Sequence, residues 1–263
     1  SDKYSIFYGP DLLIQVTLTG QLSLLMLIEM IELAGIPVIS ANTDGVVMAC
    51  PVDMQAILET VVLQWENQTD FTTEETRYAS LWSRDVNNYI AVKLKQDPKT
   101  KEWLDEIDGC KTKGVYAEVG SALNSPLSKN PEAYICSMAV QEFLAKGTPI
   151  ADTILNLGEG VKTRYFADPI TRFISVKQVR GGAGKNGQYL GKVVRWYYAE
   201  GETGVIETVT HGSTVPKSEG AKPLMTLPES LPADINFQWY IDNANEELHN
   251  LGRYQRPTVP RLF

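Results

Sequence analysis

Positive charge is the first thing this sequence is short of. Its 24 Lys and Arg stand against 32 Asp and Glu, a formal net charge of -8 over 263 residues. A surface of that balance does not bind nucleic acid indiscriminately, because neutralising phosphates takes Lys and Arg. Cysteine is scarce as well. Cys50, Cys110 and Cys136 are odd in number and far apart, which excludes a disulfide framework and a clustered zinc site. A reducing compartment, and hence a cytoplasmic location, is expected. Of histidines there are two, His211 and His249, neither with a Ser or carboxylate at informative spacing, and both read as surface residues. A clean hydrophobic run is missing too. The most apolar stretch, Leu12 to Ile36, is interrupted by Gln15, Thr17, Thr19, Gln21, Glu29 and Glu32, so no membrane segment is expected. The N-terminus has no basic leader followed by a short apolar core and no Met, which reads as a processed or partial chain rather than a secreted one.

What is present suffices for a globular protein: 43% of residues are hydrophobic, enough to bury a large core in one or two domains. Pro10 and Asp11 open a helical pattern through Leu13, Val16, Gly20, Leu24, Leu27, Ile31 and Ala34, closed by Gly35 and Pro37. It reads as a core helix with a polar edge. Val38–Ala41 and Val46–Ala49 flank Asn42-Thr43-Asp44-Gly45, the pattern of a β-hairpin with Gly45 at positive φ. After it, Met54, Ile57, Leu58, Val61 and Trp65 share a helical face, with Asp53 as N-cap. From Thr72 to Lys95 the aromatic and alternating content predicts antiparallel strands, and the Asp97–Thr100 turn folds the chain back toward Trp103. Gly120 to Pro131 is rich in Ser, Asn and Pro and marks the expected domain boundary. Helices are predicted from Pro131 to Lys146, from Pro149 to Leu157, and from Phe237 to Leu251. Between them, Thr171–Val179 and Tyr189–Tyr198 read as strands around a Gly181–Gly187 turn, with Trp196 and Tyr198 as core residues.

Local charge departs from the total. From Arg172 to Arg195 the chain carries Arg172, Lys177, Arg180, Lys185, Lys192 and Arg195 and no acid, so a basic ribbon is expected in an otherwise acidic protein. The Gly181–Gly187 segment is no Walker loop, because Val179 stands where the first Gly belongs and Asn186 follows the Lys. Glu29, Glu32 and Glu142 read as solvated helix charges. The residue that stands out for chemistry is Asp44. A carboxylate at a hairpin tip is held by paired backbone on both sides, as a hard-oxygen ligand for magnesium in phosphoryl transfer has to be. Asp-Gly is also a favoured hairpin turn in its own right, so the local sequence leaves both readings open.

The order of segments adds to this. Val16-Thr17-Leu18-Thr19-Gly20-Gln21-Leu22, an apolar helix, and then Ser40-Ala41-Asn42-Thr43-Asp44-Gly45-Val46 resemble the fingers-to-palm segment and motif C of family B DNA polymerases, in particular phage-encoded members. That motif is usually written D-T-D-S; Asn42 replaces its first Asp and Gly45 its Ser. The resemblance implies Asp44 as metal-binding carboxylate and Thr43 as a DNA contact. Val86-Asn87-Asn88-Tyr89 resembles the family's K-K-x-Y stretch through Tyr89 alone, with Lys93 placed to supply the absent charge. Lys111-Thr112-Lys113-Gly114-Val115 resembles the Lys-Gly element that approaches DNA phosphates. The resemblance covers roughly Tyr4 to Val119 motif by motif and the rest by layout.

What it implies is an α+β fold. An antiparallel palm sheet packed on helices would occupy residues 1–120, and a mixed α/β thumb and C-terminal domain residues 121–263. The implied activity is in-line attack of a primer 3′-hydroxyl on an incoming nucleotide in the complete enzyme, with two Mg2+ ions. Its partners would be primer-template DNA, dNTP and an upstream exonuclease, fingers and palm portion. The DNA contacts would be Thr43, Tyr89, Lys93, Lys111, Lys113, Gly114, Arg172, Lys177, Arg180 and Lys185. Neither the motif A aspartate nor the motif B lysine pattern is present, so the chain alone is expected to bind magnesium weakly and not to polymerise. Two other readings stand beside this one. One is a non-catalytic DNA-binding or scaffolding subunit of a split polymerase. The other is an unrelated metal-dependent hydrolase with Asp85 or Glu118 as second carboxylate.

Overall fold

The computed structural model of the chain describes residues 9–117, 132–156, 169–228 and 230–252. It is an α+β protein in which every paired strand is antiparallel. Its contacts divide it between Thr76 and Arg77 into two compact units, whereas the sequence suggested a boundary in 120–131. Residues 118–131 lie outside the described part, but the reason the division falls ahead of them is visible on either side. Ile90 and Tyr116 share one core with Ile135, Cys136 and Val140, so the strands before 120 and the helix after 131 bury a common apolar surface.

In the first unit, α1 (Pro10–Leu33) is followed by the hairpin β1 (Val38–Ala41) and β2 (Val46–Met48) and by α2 (Gln55–Thr69). Leu27 and Ile31 of α1, Ile36, and Trp65 of α2 form the core, with Val38, Val46 and Met48 of the hairpin packed against it. The Trp65 indole N–H donates to the Ser23 carbonyl at 2.8 Å, fixing α2 along the C-terminal part of α1. The expected core helix is therefore a core helix only there. Leu12, Leu13, Ile14, Val16, Leu18 and Leu22 are exposed. By length and a hydropathy of 1.6, α1 passes the requirement for a membrane span. Crossing a bilayer would draw α2, with Glu59 and Glu66, in beside it. Two details of α2 differ from expectation. Ile57 is exposed and Val62 packs inward instead. Asp53 caps nothing, because Pro51 opens a 3-10 turn, Val52–Met54, that places Asp53 before the helix proper.

The second unit holds two sheets. β3 (Tyr78–Asp85), β4 (Asn88–Gln96) and β5 (Trp103–Lys113) form a meander in that order, with the Asp97–Thr100 turn where the sequence placed it. Asp97 makes that turn by accepting the Lys99 and Thr100 amide N–H bonds at 2.7 and 3.0 Å. The chain then forms α3 (Tyr134–Lys146), ended by Gly147 at φ 73, and α4 (Ile150–Leu155), opened by Pro149. β6 (Ser175–Lys185) and β7 (Gln188–Tyr198) form a long hairpin, extended by β8 (Glu207–Thr208) and β9 (Ala221–Pro223) into a sheet of order β8-β6-β7-β9.

The helix α5 (Phe237–Gly252) lies against α3 and α4. Its Tyr240 hydroxyl donates to the Phe173 carbonyl at 2.9 Å and accepts the Tyr198 amide at 3.0 Å. Trp196 and Tyr198 are core residues as expected, and Tyr197 joins them because its hydroxyl reaches Asp234 at 2.8 Å. The hairpin turn is not Gly181–Gly187 but the two residues Asn186 and Gly187, at φ 51 and 79, between the paired Lys185 and Gln188. Asn-Gly satisfies a two-residue turn with both φ positive. The preceding glycines therefore lie inside β6.

One half-buried acid with a fully buried carboxylate oxygen gives this unit a pH dependence. Glu247 on α5 accepts one bond from the Asn243 amide at 3.3 Å, while its Oε2 is buried with no hydrogen-bond partner among the described residues. Burial pushes its pKa from 4.5 up to about 7. A folded-state value above the unfolded one means that the native state holds a proton the unfolded chain has released between these limits. Stability is thus fully present below pH 4.5 and is lost as pH rises toward 7. Glu247→Gln is expected to remove this decline, seen as a Tm at pH 8 higher than wild type and no gain at pH 4.

Candidate functional site

Asp44 sits on the four-residue loop Asn42–Gly45 between β1 and β2. The loop is closed by the Asn42 amide N–H donating to the Gly45 carbonyl at 2.9 Å. The Asp44 amide in turn donates to the Asn42 side-chain oxygen at 3.2 Å. Asn42 thus shapes the loop through its carboxamide, a local turn that Asn forms readily. Gly45 is not at positive φ, contrary to what the hairpin pattern predicted. A four-residue loop that uses Asn42 as a side-chain acceptor turns the chain without it. Thr43 and Asp44 are both exposed. The Asp44 carboxylate forms no hydrogen bond or ion pair among the described residues, so the fold makes no use of its charge.

In the second unit, strand register brings several of the sequence-selected residues to one sheet face. Tyr89 pairs with Lys113, Ala91 with Lys111 and Lys93 with Gly109, and directly paired residues lie on the same side of a sheet. The alternate set, Ile90 with Thr112 and Val92 with Cys110, turns the other way. That side is the inner one: Ile90 belongs to the core, Trp82 packs on it, and the Cys110 thiol reaches the Gln141 carbonyl of α3 at 3.9 Å. Tyr89, Lys111 and Lys113 therefore share the outer face. Neither Lys111 nor Lys113 has an ion-pair partner among the described residues. Lys93 does, at 3.2 Å from Asp108, and its charge is largely answered within the sheet.

The segment Lys111–Val115 is clamped by the turn between β3 and β4. The Asn88 side-chain oxygen accepts the Val115 amide N–H at 2.9 Å, and its amide nitrogen donates to both Asp85 oxygens at 2.8 and 2.9 Å. Gly114, at φ 68, lies so close to the Asn88 side chain and the Asn87 carbonyl that no Cβ fits there. Asn88 bonds hold the Asp85 carboxyl below its usual range, with the Asn87 amide adding to the effect. Asp85 is thus committed to this turn rather than open as a metal ligand. Glu118, the other carboxylate considered, lies outside the described residues.

The basic ribbon divides into two groups. Lys177 is half-buried and Arg180 exposed, and neither has an ion-pair partner among the described residues. Arg172 and Lys185 are buried instead. Arg172 lies in the 3-10 turn Pro169–Arg172. The Lys185 ammonium is 2.7 Å from a Glu202 oxygen and 2.6 Å from the Ala221 carbonyl. Both leave the set of expected phosphate contacts, since a phosphate could reach Lys185 only by breaking an ion pair inside the protein. Lys185→Met, which takes a donor from the buried Ala221 carbonyl and leaves the partly exposed Glu202 carboxylate without its ion pair, should cost about 2–4 kcal/mol of stability. It should leave duplex affinity unchanged; a clear loss of affinity would restore Lys185 to the ribbon's contact set.

Cys50, Cys110 and Cys136 are in no disulfide, and burial pushes the Cys136 thiol up to about 12. His211 and His249 are exposed, as expected.

Asp44 is one hard-oxygen donor, and a pair of magnesium ions needs at least one more carboxylate beside it. Among the described residues no group of three or more His, Cys, Asp or Glu gathers to hold a metal. These residues by themselves do not fit a two-ion centre. The candidate surfaces among the described residues are thus an exposed carboxylate on a bonded hairpin loop, a Tyr-Lys-Lys sheet face and a basic β-ribbon. The chain matches no protein-family model and none of the curated proteins with which it was compared.

Proposed function

We propose that the chain is the C-terminal palm and thumb portion of a phage-type family B DNA polymerase. In this reading it contributes to nucleotidyl transfer in the complete enzyme and does not polymerise alone. The observation that carries the proposal is the exposed Asp44 carboxylate, unused by the fold, on an N-T-D-G loop between two antiparallel strands that pack on two helices. A charge left unpaired at a tip fixed on both sides costs little in water and is available to a ligand. Support also comes from the second unit, where Tyr89, Lys111 and Lys113 share one face. Such a face presents two point charges and a phenol to consecutive phosphates of a duplex, fixing its position without reading sequence.

In the complete enzyme Asp44 supplies one oxygen ligand. The upstream portion supplies the second carboxylate and the nucleotide-gripping lysine. Lys111 and Lys113 hold primer-template phosphates, and Lys177 and Arg180 add contacts along the ribbon. Thr43, beside Asp44, is exposed for a backbone contact.

The test is duplex affinity against salt for the chain and for Lys111→Ala with Lys113→Ala. The wild type should show a steep decline of log affinity with log salt. The double variant should flatten that slope by about two units, one per lost phosphate contact. A flat wild-type response would remove the polymerase reading. An unchanged slope in the variant would remove the sheet face from it.

A further inference from the structure

The glycines inside β6 open a site where the sequence predicts only a turn. Pairing of β6 with β7 passes from Gln178 opposite Val193 directly to Ala183 opposite Gly191. Four residues, Val179 to Gly182, thus oppose Lys192 alone. Gly181 and Gly182, at φ 86 and 92, and Gly191, at φ 99, take up the distortion. A bulge of this size bends its strand and lifts backbone groups out of the ladder. It is fixed from outside: the Val209 amide N–H donates to the Gly182 carbonyl at 3.0 Å, Thr210 abuts Gly181 and the Tyr189 ring abuts Gly182.

The bulge forms an open cleft of about 460 Å³ lined by Gln178, Val179, Arg180, Gly181 and Lys192. Arg180 and Lys192 are exposed, and neither has an ion-pair partner among the described residues. No acid lies between Arg172 and Arg195. The described carboxylate paired nearest by register, that of Glu207, is opposite Gly184, beyond the bulge. Two uncompensated cations of different shape, a guanidinium fork and an ammonium, meet here at a carboxamide and a glycine backbone that a ligand can approach closely.

We propose that this bulge is a phosphate seat, with Arg180 and Lys192 as its charged ligands and Gln178 as a neutral donor. Its occupant is a backbone phosphodiester of the bound duplex, and this identification of the occupant rests on the function proposed above. The bulge lets one phosphate enter between the strands instead of resting on a flat ribbon. The thumb-side ribbon is thereby held to the duplex at a defined register.

The experiment measures fluorescence anisotropy of a labelled primer-template duplex with the whole chain over a salt series, for wild type and for Arg180→Gln with Lys192→Gln. Both side chains are exposed, and glutamine keeps their polarity, so folding is unaffected. Affinity should fall about tenfold, and the salt slope should lose about one unit. In parallel, inorganic phosphate is titrated while the Gly181 and Gly182 amide resonances are followed. They should shift in the wild type and not in the double variant. Duplex binding that is steep in salt but unchanged by the double substitution overturns the seat and leaves the proposed function standing. If the wild type binds no duplex, the proposed function falls. The seat then stands on the phosphate-dependent shifts, and their absence overturns it.

Discussion

On the proposed function, replacing Asp44 by Asn in the complete enzyme is expected to reduce single-turnover primer extension by about 10²–10³-fold or more. The purified variant chain should lose almost no stability. The two halves of this prediction come from the same geometry. The Asp44 carboxylate is exposed and bonds to nothing among the described residues, while its backbone amide is what the loop uses, donating to Asn42. An isosteric loss of charge leaves that amide in place, so the change in unfolding free energy should stay within about 0.5 kcal/mol. A purely structural turn residue behaves differently, with extension surviving the substitution. Near-normal extension by the variant would therefore reduce Asp44 to a turn residue. A large loss of stability would mean that the hairpin depends on its charge.

Gly114→Ala should be among the most damaging single substitutions in the second unit, at about 3–5 kcal/mol. Two penalties add. At φ 68 an L side chain is strained, and a Cβ would collide with the Asn88 carboxamide and the Asn87 carbonyl. To make room, Asn88 would have to release the Val115 amide or Asp85, which undoes the clamp between the β3–β4 turn and the end of β5. Gly147 provides the control. Its φ is similar at 73, but a Cβ added there would meet nothing within 4 Å, so Gly147→Ala should cost only about 1 kcal/mol. Thermal unfolding compares the two, and equal losses would show that backbone strain alone, and not the Asn87–Asn88 contact, makes Gly114 necessary. On the proposed function, the same substitution should also weaken duplex binding at salt concentrations where the variant remains folded, because Lys113 precedes Gly114.

Several elements were legible because their signals are local. The helices end at Gly35 and Gly147, α4 begins after Pro149, and the Asp97–Thr100 turn closes where Asp97 can accept two amides. The Asn42–Gly45 loop was legible as a loop, but its mechanism was not. Whether Gly45 supplies positive φ or Asn42 supplies an acceptor depends on loop length, and the strand ends set that length. The ribbon shows the same limit. Asn186-Gly187 is the stronger turn signal, yet Gly181-Gly182 drew the turn toward itself, because glycine marks both turns and mid-strand bulges. The strand partner alone separates them.

Composition and local pattern were enough to determine helices and antiparallel strands in one chain, the acid-free stretch from Arg172 to Arg195 and a carboxylate on a hairpin loop. Each depends on residues close together in the chain. The tertiary structure alone decided which cations remain available. Lys185 and Arg172 are sequence neighbours of Lys177 and Arg180, but they are buried, and Lys185 meets Glu202 and Ala221 across the sheet. It also decided that Asn88 clamps Gly114 and that Tyr89 stands beside Lys113. Charge is written into the sequence, but its desolvation and pairing are set by residues that meet only when the strands do.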